Sequence, residues 1–183
     1  MDARPRYRES CNAIKSGTSM ISLREFEQKD AEQLVTILND PEVVTYLSIK
    51  IPFPYTQEDA LWWINEGSKQ GIIRAITLND MLIGCIGITP GEFEYAHSGE
   101  IGYWLSKRYW RSGFTLSAIN QLVDYAFENT SLVRIFGAVF CENIASQKLL
   151  LKAGFEHEAT LKQGIMKAGK VYDNLIFTKL KAL

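Results

Sequence analysis

The sequence has 183 residues, 46% of them hydrophobic and 22% charged, which is enough for one globular domain with a sizeable core. Lysine and arginine total 20 against 21 for aspartate and glutamate, so the formal net charge of -1 supplies no basic field for nonspecific nucleic-acid binding. We therefore expect no direct nucleic-acid partner.

The cysteines and the apolar runs bear on the compartment. Cys11, Cys85 and Cys141 form no CxxC spacing, so the sequence predicts no zinc or redox site and we expect no metal. No segment reaches the ~20 apolar residues that span a bilayer, and the polar start lacks a signal-peptide core. We expect a cytoplasmic monomer or homodimer without a membrane partner. Residues 1–19 are interpreted as a flexible N-terminal extension or a cloning remnant, and 20–183 as one domain.

The first third of the chain predicts one strand and two or three helices around a proline-rich loop. After the strand-like "ISLREF", Asp30 is predicted to cap a helix with an apolar face. Pro41 suits the first turn of a second helix. Thr56 is predicted to cap a third helix, which ends near Gly67 or Gly71.

The rest of the chain predicts six more strands and two more helices. Two β-branched runs around Asn79 and Asp80 predict an antiparallel hairpin, and "GEIGYWLS" predicts the next strand. A continuous apolar stripe predicts a helix over "FTLSAINQLVDYAFEN". A strand and a short helix closed by Gly154 follow, and then two strands joined near Ala168 and Gly169. Because strands and helices do not alternate strictly, we predict an α/β or α+β fold with a mixed sheet.

The loop "SKRYWRSG" between a strand and this helix is a candidate anion site. Free N–H groups at a helix start attract anions, and Gly113 would let a phosphate come close to the backbone. The alternative is a plain strand-to-helix turn, because glycine is common in such bends. Neither GxxxxGK nor GxGxxG is present, so the site is not of the P-loop or Rossmann type.

A second signal follows the next strand, where Asn143 is predicted to cap a helix with Ser146 at its third position. The order "EIGYWLS...YW..GF...A" and then "N.AS..LL.KAGF" resembles the GNAT N-acetyltransferase superfamily, in the branch that acetylates ribosomal-protein N-termini and related amines. The resemblance runs from about Ile21 to Lys181. Of the signature Q/R-x-x-G-x-G/A, only Gly113 matches strictly, and Thr115 departs from it.

The resemblance implies a mostly antiparallel sheet of about seven strands flanked by helices, and acetyl-CoA as the co-substrate. It implies that three strand-end residues bind the pantetheine arm through their backbone: Tyr103, Trp104 and Leu105. It implies that six amides hold the pyrophosphate: Arg111, Ser112, Gly113, Phe114, Thr115 and Leu116. Asn143 and Ser146 are expected to contact the cofactor near the thioester and to take part in catalysis.

The proton donor and the base are expected to be a hydroxyl and a carboxylate. Several superfamily members have a tyrosine acid where this chain has Leu150, and Ser146 is our substitute because a hydroxyl can hydrogen-bond a developing thiolate. Glu100 resembles the glutamate of the family's "EIGYWL" run and is the first candidate base. A solvated strand-end charge is its alternative role. Glu92 and Glu94 are competing bases.

The acceptor is expected to be one amine on a peptide or protein N-terminus or on a small molecule. An α-amine has a pKa near ~8 and a lysine near ~10.4, so an α-amine needs less help from a base. No long acidic tract is present to hold a polycation. Trp62 and Trp63 are candidates to cover the acceptor cleft, with core packing as the alternative for at least one. Tyr172 and Asp173 resemble a "Y.D" feature of the branch that contacts the acceptor.

The leading hypothesis is therefore an acetyl-CoA-dependent N-acetyltransferase that works by direct attack of the amine on the thioester. One alternative is a noncatalytic GNAT-like module that binds a CoA ester or a protein partner. Another is an unrelated α/β domain with a phosphate-like turn.

Overall fold

The chain folds as a sheet with helices on both faces, and its computed structural model describes residues 20–182. The segment 1–19, interpreted above as an extension, and its Cys11 lie outside the described residues. The strands are β1 (Ile21–Arg24), β2 (Ile72–Leu78), β3 (Met81–Pro90), β4 (Ser98–Leu105), β5 (Arg134–Phe140), β6 (Glu156–Lys167) and β7 (Lys170–Leu180). The helices are α1 (Ala31–Leu38), α2 (Pro41–Val44), α3 (Gln57–Asn65), α4 (Phe114–Asn129) and α5 (Ile144–Lys152).

The strands of the described part form one sheet in the order β1-β2-β3-β4-β5-β7-β6. Neighbours run antiparallel except β4 and β5, which pair in parallel. This confirms the expected mixed, mostly antiparallel sheet. The parallel pairing joins only residues 98–100 to residues 134–136, so β4 and β5 separate beyond Glu100. The separation leaves a gap in the middle of the sheet.

Two hydrophobic clusters fill the two faces of the sheet. α4 and α5 cover the face to which Ile101 and Leu105 of β4 point. α1 and α3 cover the opposite face, to which Trp104 points. β4 supplies both clusters because successive side chains of a strand point to opposite faces. The stripe that predicted α4 is buried at five positions: Ala118, Ile119, Leu122, Val123 and Ala126.

The structure confirms several helix-end and turn signals in the sequence. Thr56 begins α3 with a capping box, in which its Oγ1 accepts from the Asp59 N–H at 3.2 Å and the Asp59 carboxylate accepts from the Thr56 N–H at 2.8 Å. Asn79 and Asp80 turn β2 into β3 with φ values of 50° and 64°. Gly154 ends α5 with a φ of 80°.

The predicted helix cap at Asp30 is wrong. Asp30 directly precedes α1, but its side chain makes no capping hydrogen bond to the helix. Its oxygens accept instead from the Glu27 N–H at 2.8 Å and from two nitrogens of Arg24 at 2.7 and 2.8 Å. Asp30 is only 2% exposed, and a buried carboxylate needs a charged partner. The Asp30 side chain therefore pairs with Arg24 of β1 and does not cap α1.

Lys167, at the end of β6, joins the β6–β7 hairpin to the chain after α2. Its Nζ donates to the carbonyl oxygens of Val44, Thr45 and Leu47 at 2.8, 2.8 and 2.7 Å. Removal from water lowers the pKa of this ammonium group. Three acceptors match the three hydrogens of an ammonium, so Lys167 holds the start of the proline-rich loop.

We expect Lys167→Ala to lower the free energy of unfolding by about 1–3 kcal/mol, because three carbonyl groups lose their charged donor together. Equilibrium denaturation in urea measures this loss. Lys69→Ala is the matched control, since Lys69 pairs with Glu25 at 2.9 Å but both side chains are exposed. Such exposed pairs contribute less than about 1 kcal/mol. Equal losses in the two variants would contradict a holding role for Lys167.

Candidate active site

The gap between β4 and β5 exposes backbone groups of β4. The Ser106 N–H donates to the Ile83 carbonyl on β3 at 2.8 Å. In an antiparallel ladder, alternate residues direct their N–H and C=O groups to opposite sides. The backbone groups of Tyr103 and Leu105 therefore face the gap, whereas those of Trp104 face β3. This edge suits an extended ligand that carries amide groups.

The turn between β4 and α4 has an unusual backbone. The indole of Trp110 donates to the Leu105 carbonyl at 2.8 Å and ties the turn to the strand. Arg111 and Gly113 have positive φ values of 61° and 81°. Within residues 20–182, none of the N–H groups of residues 111–116 has a protein acceptor. Such a run of free N–H groups at a helix start attracts an anion.

Space is also present at this turn. A Cβ built on Gly113 would meet nothing within 4 Å, so the backbone lies open to a ligand. Arg111 and Ser112 are exposed beside it. The first turn of α4 consists of three partly buried residues: Phe114, Thr115 and Leu116. The turn can hold a phosphate group through its backbone alone.

Asn143 and Ser146 lie together at the start of α5. The Asn143 Oδ1 accepts from the Ser146 N–H at 3.1 Å, which is the predicted helix cap. The Ser146 hydroxyl lies 2.7 Å from the Tyr103 hydroxyl on β4. Burial raises the pKa of the Tyr103 phenol to about 12, although its bond to Ser146 opposes the shift. This pair of hydroxyls connects the two sides of the gap.

Leu150, on the next turns of α5, cannot supply a proton. It is 1% exposed and belongs to the cluster under α4 and α5. The tyrosine that the resemblance implies at this position is therefore replaced by a core residue, whereas the hydroxyls of Tyr103 and Ser146 are donors at the gap.

Glu100 lies where β4 and β5 separate, on the sheet face that α1 and α3 cover. A Cβ built on Gly102, two residues along the same face, would meet nothing within 4 Å, so this face of β4 is open beside Glu100. Glu100 is exposed, yet the surrounding protein raises its pKa by desolvation, and the charge of Lys50 opposes that shift. A raised pKa improves a carboxylate as a proton acceptor. Glu92 and Glu94 are exposed in the turn before β4.

The two adjacent tryptophans of α3 have different surroundings. Trp62 is 55% exposed. Trp63 packs edge-on against Phe26, with the ring centroids 6.1 Å apart. One of the two is thus a packing residue, which confirms that part of the interpretation, and Trp62 keeps its place as a candidate contact for the acceptor.

Tyr172 belongs to an aromatic cluster at the far end of β5. It packs edge-on against Phe140 at 5.3 Å between ring centroids, and Phe140 contacts Tyr46 at 5.7 Å. The Asp173 carboxylate accepts from the Gln163 N–H at 2.9 Å and from a lysine ammonium. Asp173 therefore stabilises the irregular part of β6, and Tyr172 remains the candidate for contact with an acceptor.

Neither a metal-ligand cluster nor a membrane-spanning helix occurs within residues 20–182. No group of three or more His, Cys, Asp or Glu side chains in this range could hold a metal ion. His97 and His157 are both exposed. Over the same residues, no helix has the length and apolar character needed to cross a membrane.

Comparison with known proteins decides the family. Residues 21–156 match the family described as Acetyltransferase (GNAT) domain. The chain belongs to the GNAT acetyltransferase family. It is accordingly an acyltransferase of the N-acetyltransferase class, which sets aside an unrelated α/β domain. A GNAT relative, "Uncharacterized N-acetyltransferase p20" from Bacillus licheniformis, is 33% identical over 170 residues, which cover 90% of this chain and 94% of the relative.

Solved GNAT structures share the fold. A ribosomal-protein-alanine N-acetyltransferase from Brucella melitensis has a TM-score of 0.73 and 24% identity, and covers 87% of this chain and 99% of its own. A spermidine N-acetyltransferase from Vibrio cholerae, in complex with CoA and spermine, has a TM-score of 0.74 and 22% identity, and covers 89% and 96%. These two names specify different amines, so the GNAT fold alone does not select the acceptor.

The described residues fit the CoA ester that GNAT enzymes use as co-substrate. A pyrophosphate needs several donors close together, and the N–H groups of residues 111–116 are free. A pantetheine arm carries amide groups, and the edge of β4 at Tyr103 faces the gap. A thioester needs a donor for its sulfur, and the Ser146 hydroxyl lies at the gap.

Two features of this GNAT site were not predicted from the sequence. The Tyr103 side chain reaches Ser146 although 43 positions separate them in the chain, and Lys50 acts on the charge of Glu100 from the proline-rich loop. Alternation along β4 could have placed Tyr103 on the α5 face together with Ile101. No local signal indicates the position of Lys50.

We expect Asn143→Ala to lose about 1 kcal/mol of stability, the usual worth of a helix cap, and to weaken acetyl-CoA binding at the same time. The reason for the second effect is that α5 would fray at Ser146. Thr56→Ala is the matched control, because it removes a cap of the same kind from α3. Thermal unfolding and calorimetric titration measure the two effects. Full acetyl-CoA affinity in Asn143→Ala would leave Asn143 with a structural role only.

Proposed function

We propose that the chain transfers the acetyl group of acetyl-CoA to the α-amine of a peptide or protein N-terminus, or to a small-molecule amine, by direct attack on the thioester. Backbone groups of Tyr103 and Leu105 would bind the pantetheine arm, whereas those of Trp104 face β3 and would not take part. The amides of residues 111–116 would hold the pyrophosphate. Residues 20–183 would form the one catalytic domain.

The observation that carries the choice of acceptor is the surroundings of Glu100. This carboxylate has a raised pKa and a cationic neighbour, Lys50. A polyamine brings several ammonium groups, which Lys50 would repel and a single carboxylate could not neutralise. A single amine, about half uncharged at its own pKa of ~8, suits the site better.

The chemistry then divides between the two sides of the gap. The amine nitrogen attacks the thioester carbon, and Glu100 takes the amine proton directly or through water. As the N–C bond forms, the C–S bond breaks and sulfur takes the electron pair. The Ser146 hydroxyl stabilises the departing thiolate through a hydrogen bond. Asn143 holds the backbone of Ser146 in position.

Amine-dependent release of the CoA thiol tests the proposal. Purified protein is incubated with acetyl-CoA and with a panel that contains short peptides with free or blocked N-termini, single amino-acid amines, and spermidine. We expect thiol release with free α-amines and none with blocked peptides. Efficient acetylation of spermidine without activity on α-amines would overturn the acceptor assignment. Binding of acetyl-CoA without thiol release for any amine would favour the noncatalytic module.

A further inference from the structure

We propose that Tyr103 is a positioning residue for acetyl transfer: its phenol donates a hydrogen bond to Ser146 Oγ and so directs the Ser146 hydrogen toward the thioester sulfur. The inference rests on the function proposed above. It gives the Tyr103 side chain a role distinct from the pantetheine contact that its backbone is expected to make.

The geometry fixes Ser146 from two directions. The Tyr103 hydroxyl lies 2.7 Å from Ser146 Oγ at the start of α5, across the gap between β4 and β5. The Asn143 side chain holds the Ser146 backbone N–H at 3.1 Å. With both its main chain and its oxygen held, the serine hydroxyl has few orientations left for its own hydrogen.

The direction of the hydrogen bond follows from the two hydroxyls. A serine hydroxyl has one hydrogen and two lone pairs, so Ser146 can serve the sulfur only if it accepts from Tyr103. A phenol is the more acidic donor, with a usual pKa of about 10. Burial keeps Tyr103 protonated, because it raises the pKa of the phenol to about 12. Consecutive hydrogen bonds polarise each other, so the Ser146 hydroxyl becomes a stronger donor to sulfur.

No proton leaves Tyr103 in this scheme. The N–C bond forms, the C–S bond breaks, and the electron pair goes to sulfur, while the amine proton goes to Glu100. The thiolate is held by the Ser146 O–H and takes its proton from solvent. The pair of hydroxyls thus stabilises the thiolate by a hydrogen bond, which the apolar side chain of Leu150, buried in the core, cannot provide.

The pKa of the thiol of enzyme-bound CoA tests the proposal without any acceptor. CoA is bound at saturation and titrated below pH ~9, under the usual phenol pKa of about 10. The thiolate is followed by its ultraviolet absorption against the same protein with acetyl-CoA, which has no free thiol. We expect Tyr103→Phe and Ser146→Ala each to reduce the thiolate-to-thiol ratio by about tenfold at a given pH. Tyr55→Phe and Ser68→Ala are matched controls, since each removes a hydroxyl hydrogen bond away from the gap. An equal ratio in all the variants would overturn the proposal.

Turnover of the same variants separates positioning from a structural role. We expect Tyr103→Phe to lower kcat about tenfold with the KM for acetyl-CoA within about twofold, and to have no further effect when Ser146 is already alanine. A tenfold loss in both backgrounds would mean that Tyr103 acts without Ser146, and would overturn the proposal. If Tyr103→Phe has normal turnover and an unchanged pKa of the CoA thiol, only this inference is refuted. If Tyr103→Phe changes the pKa of the CoA thiol but the unmodified protein transfers acetyl to no amine, only the proposed function is refuted.

Discussion

Gly113→Val is expected to weaken acetyl-CoA binding on the order of 100-fold while the protein stays folded. The added side chain would occupy the open space at Gly113, through which a pyrophosphate would reach the N–H groups of residues 111–116. Loss of about two hydrogen bonds to a charged group accounts for an effect of this size. Isothermal titration calorimetry with acetyl-CoA measures it, and Gly113→Trp should behave in the same way.

The control must separate blocking from backbone strain, because Gly113 has a φ of 81°, which side chains disfavour. Gly169, in the turn between β6 and β7, matches it with a φ of 77° and nothing within 4 Å of an added Cβ. Both valine variants should lose about 1–2 kcal/mol of stability, but only Gly113→Val should lose affinity. Equal losses of affinity would assign the effect to strain, and unchanged affinity in Gly113→Val would contradict the phosphate site.

Local rules predicted the elements whose signals are contained within a few residues. The stripe of α4 repeats over 16 residues, and the helix spans the predicted segment. The caps at Thr56 and Asn143 depend on a side chain that bonds to the third residue after it, so they were visible in the sequence. Asp30 has the same local pattern, but Arg24 on β1 offers a stronger, charged partner. The cap was predicted wrongly because its competitor comes from another element.

The candidate site depends on contacts between residues that are far apart in the sequence. The gap in the sheet arises because β5 pairs with β4 over three residues and then continues only beside β7. The hydroxyl pair of Tyr103 and Ser146 crosses that gap. The charge of Lys50, in the proline-rich loop, opposes the rise in the pKa of Glu100. The family resemblance indicated which segments matter, whereas the partners of each side chain follow from packing that no local pattern records.

Glu100→Gln is the second variant with a large expected effect, and its stability provides a first check. Burial raises the pKa of Glu100, so the folded chain holds that proton more tightly than the unfolded chain. The associated stability is present at low pH and is lost as the pH rises through the raised pKa. At neutral pH the ionised carboxylate therefore opposes folding, and glutamine should leave the free energy of unfolding unchanged or higher. A loss of activity cannot then be ascribed to unfolding.

The activity of Glu100→Gln should depend on pH. With a peptide α-amine, we expect kcat/KM to fall about 100-fold near pH ~7, where the amine is mostly protonated and needs a base. Above pH ~9 the amine is largely neutral on its own, and the loss should shrink to about tenfold or less. Glu94→Gln, which changes a competing carboxylate in the exposed turn, should stay within about twofold of the unmodified protein at both pH values. If Glu100→Gln loses the same factor at every pH, Glu100 orients the amine rather than accepting its proton, because only proton transfer depends on the charge of the free amine.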